Sequence, residues 1–170
     1  MKITKQICCL GALAAFFTAG ATEIKFDKDL TDLIISYSPG VALDTEVKTS
    51  ETGSLRLTAA KERKFINIIK IIELEPDRKY EISCMVKGEN IVDKRTGIFC
   101  NRGKKWDRLS RWTGTFDWTK CTGEVDTGKM GGAKVKIYIT LFGHEGKLWI
   151  DQLTITPKED AAPKIDGEKY

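Results

Sequence analysis

The sequence has little of what common catalytic centres need. His144 is its only histidine, which makes a histidine-dependent triad or a multi-histidine zinc site hard to assemble. The Gly-x-Ser-x-Gly, His-Glu-x-x-His and glycine-rich phosphate-binding patterns are absent as well. A glycosidase needs only two well-placed carboxylates, so hydrolysis stays open but unsupported. The sequence therefore predicts a protein that is not an enzyme.

The sequence also lacks an apolar run long enough to cross a membrane. The apolar stretch near the start, residues 7–17, has about half of the roughly 20 residues that a membrane-spanning helix needs. Lys2 and Lys5 precede it and small residues ending in Ala21 follow it, which is the order of a cleavable export signal. We therefore expect a signal peptide over residues 1–21, no membrane insertion, and a secreted, periplasmic or cell-surface location.

A strong excess of charge of one sign is missing too. The 28 basic and 24 acidic residues give a net charge of +4, which is too mild to indicate a nucleic-acid-binding protein. The length fits one domain with its own core, which we place at residues 22–157. Residues 158–170 combine charges with alanine, proline and glycine and show no apolar periodicity, which predicts a flexible tail.

Cysteines are few. Removal of residues 1–21 leaves Cys84, Cys100 and Cys121, an odd number that allows at most one internal bridge in a compartment that permits disulfides. Cys84 sits at an alternating apolar position typical of a buried thiol. The sequence does not decide which pair closes, and the pair that we expect is Cys100 with Cys121.

Short β-strand patterns are what the sequence has in abundance. In residues 79–87 and 134–142, apolar side chains alternate with polar ones, as in strands with one buried face. Turn residues separate seven further segments of strand-like composition, namely 23–26, 41–48, 54–58, 65–74, 96–101, 119–126 and 147–156. Eight or nine strands with almost no helical pattern predict an all-β jelly-roll sandwich of two antiparallel sheets.

Four segments carry a resemblance to a known family. Residues 112–120 read Trp-Thr-Gly-Thr-Phe-Asp-Trp-Thr-Lys, residues 146–155 form the closing strand, and segments 54–57 and 74–83 precede them in the expected order. Over roughly residues 40–156 the chain resembles the jelly-roll carbohydrate-binding modules named after the C-type cellulose-binding domains. The resemblance implies a galactose-binding-like fold, non-catalytic glycan binding and a structural calcium ion.

Two features depart from that family. We expect no enzyme domain beside the module, and the acidic pair often found in the last strand reads Asp151-Gln152. Alternation places Asp151 on one face with Trp149 and Leu153, where an unpaired carboxylate is costly to desolvate.

The carboxylate of Asp151 therefore needs a partner. A calcium ion would serve, with Asp27 as a second ligand if the first and last strands pair. Capping of Asp151 by backbone amides or by Lys25 is an equally weighted alternative.

Aromatic side chains in polar surroundings are the candidate glycan contacts. Trp106 and Trp112 lie among lysines and arginines, which favours exposed platforms for sugar rings over core positions. Tyr138 and Phe142 lie on the polar face of their strand, and Tyr138 offers both a ring and a hydroxyl. Cross-strand packing explains an aromatic residue there equally well.

A basic cluster surrounds the two tryptophans. Residues 101–112 hold five lysines and arginines, among them Arg108, in a segment that we expect to be rich in loops. Guanidinium groups favour uronic or sulfated sugars through paired contacts, although charged loops are often only solvated. We expect Trp106, Trp112, Tyr138 and Arg108 to bind the glycan.

These patterns, together with the glycan binding that the resemblance implies, predict a secreted, non-catalytic module that binds a polysaccharide or glycan by aromatic stacking and hydrogen bonds. An envelope structural or protein-interaction domain that has lost sugar binding is the alternative, since we expect no enzyme to be fused to the module. A small polysaccharide-cleaving enzyme is the more remote one.

Overall fold

The structure is a computed structural model that describes residues 21–24, 26, 30, 32–128 and 133–158. The predicted signal peptide, apart from Ala21, and the predicted tail, apart from Lys158, lie outside the described residues. Within the described part of the chain, no helix is long and apolar enough to cross a membrane.

Eleven strands are found among the described residues, and the only helical segment there is a short 3-10 turn, Ser38–Gly40. In chain order the strands are β1 (Thr22–Ile24), β2 (Leu33–Ile35), β3 (Val41–Asp44), β4 (Ser54–Thr58), β5 (Phe65–Leu74), β6 (Lys79–Ile91), β7 (Gly97–Arg102), β8 (Lys105–Arg111), β9 (Gly114–Asp126), β10 (Ala133–Phe142) and β11 (Lys147–Pro157).

The strands form two sheets. The front sheet has the order β2-β5-β10-β7-β8, and the back sheet has the order β3-β4-β11-β6-β9, with β1 also paired to β11. Within each sheet, every pair of neighbouring strands is antiparallel. The predicted all-β jelly-roll sandwich of two antiparallel sheets is confirmed.

The core lies between the sheets and follows the alternation in the sequence. Every second side chain of β6 and β10 is at most 4% exposed. These side chains are Tyr80, Ile82, Cys84, Val86, Val135, Ile137, Ile139 and Leu141. Because burial of one large aliphatic side chain contributes roughly 1.5–3 kcal/mol, these two strands do much to hold one sheet against the other.

The nine predicted strands are all present, with differences at their ends. β4 and β5 have the predicted bounds, whereas β6 and β9 are longer than predicted. β2 and β8 were not predicted. The expectation of a loop-rich segment over residues 101–112 is corrected by β8, which pairs with β7 from Lys105 to Arg111.

A bulge in β11 changes which of its side chains face the core. The register of β11 against β6 shifts between Asp151 and Thr154, and Gln152 has a φ of 50°. Leu153 belongs to the core cluster, whereas Trp149 does not. The prediction that Asp151 shares a face with both is therefore wrong for Leu153, because the irregularity at residue 152 reverses the alternation.

Candidate functional site

The side of the front sheet that points away from the core, which we call the front face, carries most of the candidate residues. Register partners on neighbouring strands share a face. Tyr138 in β10 pairs with Ile69 in β5 and with Phe99 in β7, and Phe99 pairs with Arg108 in β8. The aromatic residues on this face are Phe65, Phe99, Trp106, Tyr138 and Phe142.

The front face also carries most of the large apolar side chains that are exposed among the described residues. Five large apolar side chains of the described residues are exposed, and four of them lie on this face, namely Ile34, Phe65, Ile71 and Trp106. Exposed apolar patches of this kind mark sites of interaction.

A tight hairpin places Trp106 on the front face. β7 ends at Arg102 and β8 begins at Lys105, and Gly103 between them has a φ of 68°, which glycine adopts at little cost. The Asn101 side-chain amide donates a hydrogen bond to the Gly103 carbonyl oxygen at 3.0 Å. The register sets Trp106 opposite Asn101, so its side chain points to the same side as Tyr138.

Trp106 and Tyr138 form the centre of the candidate site. Their ring centroids are 4.8 Å apart with an angle of 47° between the ring planes. Trp106 is 57% exposed and Tyr138 is half-buried. The pair therefore holds Trp106 in a defined orientation while leaving most of its surface open to a ligand.

Arg108 lies beside this pair. Its guanidinium carbon is 5.2 Å from the centroid of the Phe99 ring, which is within the range of a cation–π contact. Three of the four residues predicted to bind glycan, Trp106, Tyr138 and Arg108, are thus together on one face. Phe99 was not predicted, although alternation from the buried Cys100 places it on that face.

A second aromatic pair lies where β5 begins and β10 ends. The Phe65 and Phe142 ring centroids are 5.7 Å apart, and the Arg95 guanidinium lies 4.8 Å from the centroid of Phe142. A cavity of about 990 Å³ opens there. Tyr138 and Phe142 are four residues apart along β10, about 13 Å in an extended strand, so the aromatic band extends well beyond the Trp106 end.

The basic cluster of residues 101–112 is divided between two environments. Arg102 is 7% exposed and pairs with Asp107 at 2.5 Å. By contrast, Arg108 of the cluster is exposed, as is Lys136 of β10, and neither forms an ion pair within the described chain. Arg108 and Lys136 therefore leave positive charge available next to Tyr138, and Arg111, which is exposed opposite Gly97, adds to it further along β8.

Trp112 is not an exposed platform, which corrects our expectation. It is 8% exposed and belongs to the core cluster. Trp112 lies in the connection from β8 in the front sheet to β9 in the back sheet, where its backbone N–H donates to the Thr96 carbonyl oxygen at 2.9 Å. The chain crosses between the layers at this point, so the indole ring fills space between them.

Asp151 is capped by the loop between β3 and β4. Its Oδ2 accepts hydrogen bonds from the Thr49 N–H at 2.7 Å, the Thr49 hydroxyl at 2.9 Å and the Ser50 N–H at 2.8 Å. Its Oδ1 accepts one from the Gln152 N–H at 2.8 Å. Burial raises the pKa of Asp151, but the hydrogen bonds from Thr49 and Ser50 outweigh it and the pKa is lowered overall.

These donors do not fit a calcium site at Asp151. Calcium takes six to eight oxygen ligands, whereas both carboxylate oxygens of Asp151 already face N–H groups, whose positive ends repel a cation. Among the described residues no cluster of three or more histidine, cysteine or acidic side chains is arranged to hold a metal ion. β1 and β11 do pair, as the proposed role of Asp27 required, but Asp27 lies outside the described residues.

The expected bridge between Cys100 and Cys121 is not present, and Cys84, Cys100 and Cys121 are free. Cys100 lies in the front sheet opposite Ile137 and Asp107. Cys121 lies in the back sheet directly opposite Cys84. The register therefore makes Cys84, not Cys100, the neighbour of Cys121.

Comparison with known proteins finds proteins that are similar to this one in structure but none that matches it in sequence. No protein-family model and no curated protein matches this sequence. Solved structures of carbohydrate-binding modules from families 16, 22 and 4 are similar to it. The second family 16 carbohydrate-binding module matches with a TM-score of 0.53 and 18% identity, over 69% of this chain and 85% of that one.

The CBM22-1 xylan-binding domain from Paenibacillus barcinonensis Xyn10C gives a TM-score of 0.53 at 14% identity, over 85% of this chain and 89% of that one. A cyclase from Fischerella sp. TAU is similar as well, with a TM-score of 0.54 at 11% identity, over 87% of this chain and 93% of that one. At these identities the likeness establishes the fold alone. One fold can host several unrelated functions. Membership of the C-type cellulose-binding family stays a prediction.

Proposed function

We propose that the protein is a non-catalytic module that binds a polysaccharide or glycan on its front face. The observation that carries this proposal is the exposed Trp106 ring held against Tyr138 at one end of an aromatic band. Sugar rings stack their C–H faces on flat aromatic side chains, and the Tyr138 hydroxyl adds a hydrogen bond. The likeness in fold to solved carbohydrate-binding modules supports this proposal.

The preferred ligand carries acidic groups. Arg108 and Lys136 are exposed on the front face and form no ion pair within the described chain. A guanidinium binds a carboxylate or sulfate through two parallel hydrogen bonds. A uronic or sulfated glycan would therefore gain contacts at this site that a neutral one lacks.

Affinity electrophoresis tests the proposal with a panel of polymers. The panel contains xylan, mannan and β-glucan as neutral polymers, with polygalacturonate and a sulfated glycan as acidic ones. We expect retardation by an acidic polymer, weakened by added salt because exposed charges are screened. Trp106→Ala and Tyr138→Ala should each weaken binding about tenfold, since an aromatic contact contributes up to about 1.5 kcal/mol beyond burial.

Matched variants separate the site from general effects. Ile34→Ala removes an equally exposed apolar side chain at the far edge of the same sheet, on β2. Arg63→Ala removes an arginine from a comparable cation–π contact, on Tyr37, as Arg108→Ala does on Phe99. Both controls should bind normally, and Tyr138→Phe should lose only the contribution of the hydroxyl.

A protein partner is the second candidate for the front face. The exposed Ile34 and Ile71 suit a protein surface better than a sugar ring, and an envelope protein is the partner that an exported chain would meet. If no polymer in the panel retards the protein, or if Trp106→Ala and Tyr138→Ala bind as the parent does, glycan binding at this site is wrong. Capture of one envelope protein that requires Ile71 would then support the second candidate.

The location rests on the predicted signal peptide. Export to the periplasm, cell surface or medium is part of the proposal because the first 21 residues have the order of an export signal. Sequencing of the amino terminus of the exported protein tests it, with Thr22 expected as the first residue.

A further inference from the structure

Cys84 of β6 and Cys121 of β9 are placed for a covalent bond. They are register partners on neighbouring antiparallel strands, so both side chains point to the same side of the back sheet. Such partners have Cα atoms about 4.5–5.5 Å apart, and a disulfide accommodates about 4.4–6.8 Å. The register of the two strands is therefore compatible with a bridge.

The two sulfur atoms are also chemically unequal. The thiol of Cys84 forms a hydrogen bond with Cys121, which raises the pKa of Cys84, and burial raises it further. The same hydrogen bond lowers the pKa of Cys121, and the side chains of Ser110 and Trp112 lower it too, against the opposing effect of burial. Cys121 is therefore the sulfur that ionises first, and a thiolate is the nucleophile in disulfide exchange.

Cys121 can be reached from outside the core. It is half-buried and lines a cavity of about 580 Å³ that Ser110 and Trp112 also line. Cys100, in contrast, is 0% exposed, and burial raises its pKa to about 11. A small reagent thus has access to Cys121 but not to Cys100.

We propose that Cys84 and Cys121 form a disulfide that ties β9, the edge strand of the back sheet, to β6. The oxidant is a small disulfide of the glutathione type. The Cys121 thiolate attacks one of its sulfur atoms, which forms a mixed disulfide and releases one glutathione thiolate. Cys84 then loses its proton, and its sulfur attacks the sulfur of Cys121 and releases the second glutathione. Two electrons and two protons pass to the reagent, so one oxidised glutathione yields two reduced molecules.

Tryptic peptide mapping after oxidation tests this proposal. The purified chain is incubated with oxidised glutathione, blocked with an alkylating reagent and digested without reduction. The three cysteines fall in separate peptides, 80–87, 96–102 and 121–129, and Cys8 and Cys9 fall in a fourth, 6–25. We expect peptide 80–87 to be linked to 121–129, and peptide 96–102 to carry the alkyl group once the protein is denatured.

Single variants identify the order of the two steps. In Cys84→Ala, the glutathione adduct should persist on Cys121, because the second attacking sulfur is gone. In Cys121→Ala, Cys84 should react at least tenfold more slowly than Cys121 does in the parent. Cys100→Ala is the matched control and should close the bridge as the parent does.

The proposal is overturned if peptide 96–102 is linked to 121–129, or if all three cysteines stay free in the parent and in Cys100→Ala. The disulfide between Cys84 and Cys121 should also raise the melting temperature of the protein by roughly 5–10 °C relative to the reduced protein. Reduction that leaves the melting temperature unchanged would contradict a bridge that constrains β9.

Discussion

At the scale of single residues, Asp151 shows how an acidic side chain is kept charged in a buried place. Its two oxygens accept four hydrogen bonds, three of them from Thr49 and Ser50. These bonds join the loop between β3 and β4 to the last strand. The loop therefore depends on the negative charge of one carboxylate.

Asp151→Asn should destabilise the protein by about 1–3 kcal/mol, the usual cost of a buried group left without its partner. The amide nitrogen of asparagine would face N–H donors, and it cannot accept hydrogen bonds from them. The measurement is unfolding by urea at pH 7, with Asp117→Asn as an exposed control that should change stability little.

The pH dependence of unfolding gives a second readout of the same residue. Because the pKa of Asp151 is lower in the folded than in the unfolded protein, its contribution is present above the unfolded value, about 3.9. The contribution is lost as the pH falls through the folded pKa. Asp151→Asn should remove that part of the acid sensitivity, and an unchanged acid profile would show that the charge does not hold the loop.

At the scale of elements, the pairing of β7 with β8 decides whether the candidate site exists. A Cβ atom on Gly97 would lie 2.1 Å from the Ser110 carbonyl oxygen, far inside contact distance. Gly97→Ala should therefore push β8 away from β7 and displace Trp106 and Arg108. We expect a lower melting temperature together with a glycan affinity reduced at least tenfold.

A control for that change lies in the same hairpin. Gly103 has a φ of 68° and open space around its Cβ position, and asparagine tolerates this left-handed conformation better than most residues. Gly103→Asn should keep both stability and binding. Normal binding by Gly97→Ala would mean that the site does not depend on β8.

Strand β8 shows where prediction of strands from the sequence reaches its limit. β5 and β4 were predicted with their observed bounds because their apolar content is dense and turn residues flank them. β8 has Leu109 as its only aliphatic residue, since an edge strand buries little, and no alternation marks it. β2 is only three residues long, which is too short for a period to show.

The candidate site was predictable in part for related reasons. Tyr138 stands out because β10 alternates strongly, and Trp106 stands out because charges surround it. Trp112 has the same charged neighbours, yet it is buried, since composition does not reveal where the chain crosses between sheets. The prediction that Asp151 and Leu153 share a face was wrong because of the bulge between Asp151 and Thr154. The residues before a bulge alternate normally, so the sequence does not reveal it.

At the scale of the whole molecule, the calcium prediction has a direct test. The amide groups on Asp151 already satisfy its carboxylate, so we expect a chelator to leave the melting temperature unchanged. An ion that binds only the folded protein stabilises it by mass action. A melting temperature that falls with chelator and recovers with calcium would show that the folded protein binds calcium. Asp27→Asn would then show whether Asp27 is a ligand.

The position of β8 also bears on how the molecules behave towards one another. A strand at the end of a sheet offers unpaired backbone groups to any neighbouring chain. Lys105, Arg108 and Arg111 are all exposed on β8, and strand pairing between two copies would bring these like charges together. The basic residues thus oppose self-association, and neutralising them together should favour aggregation in concentrated solution.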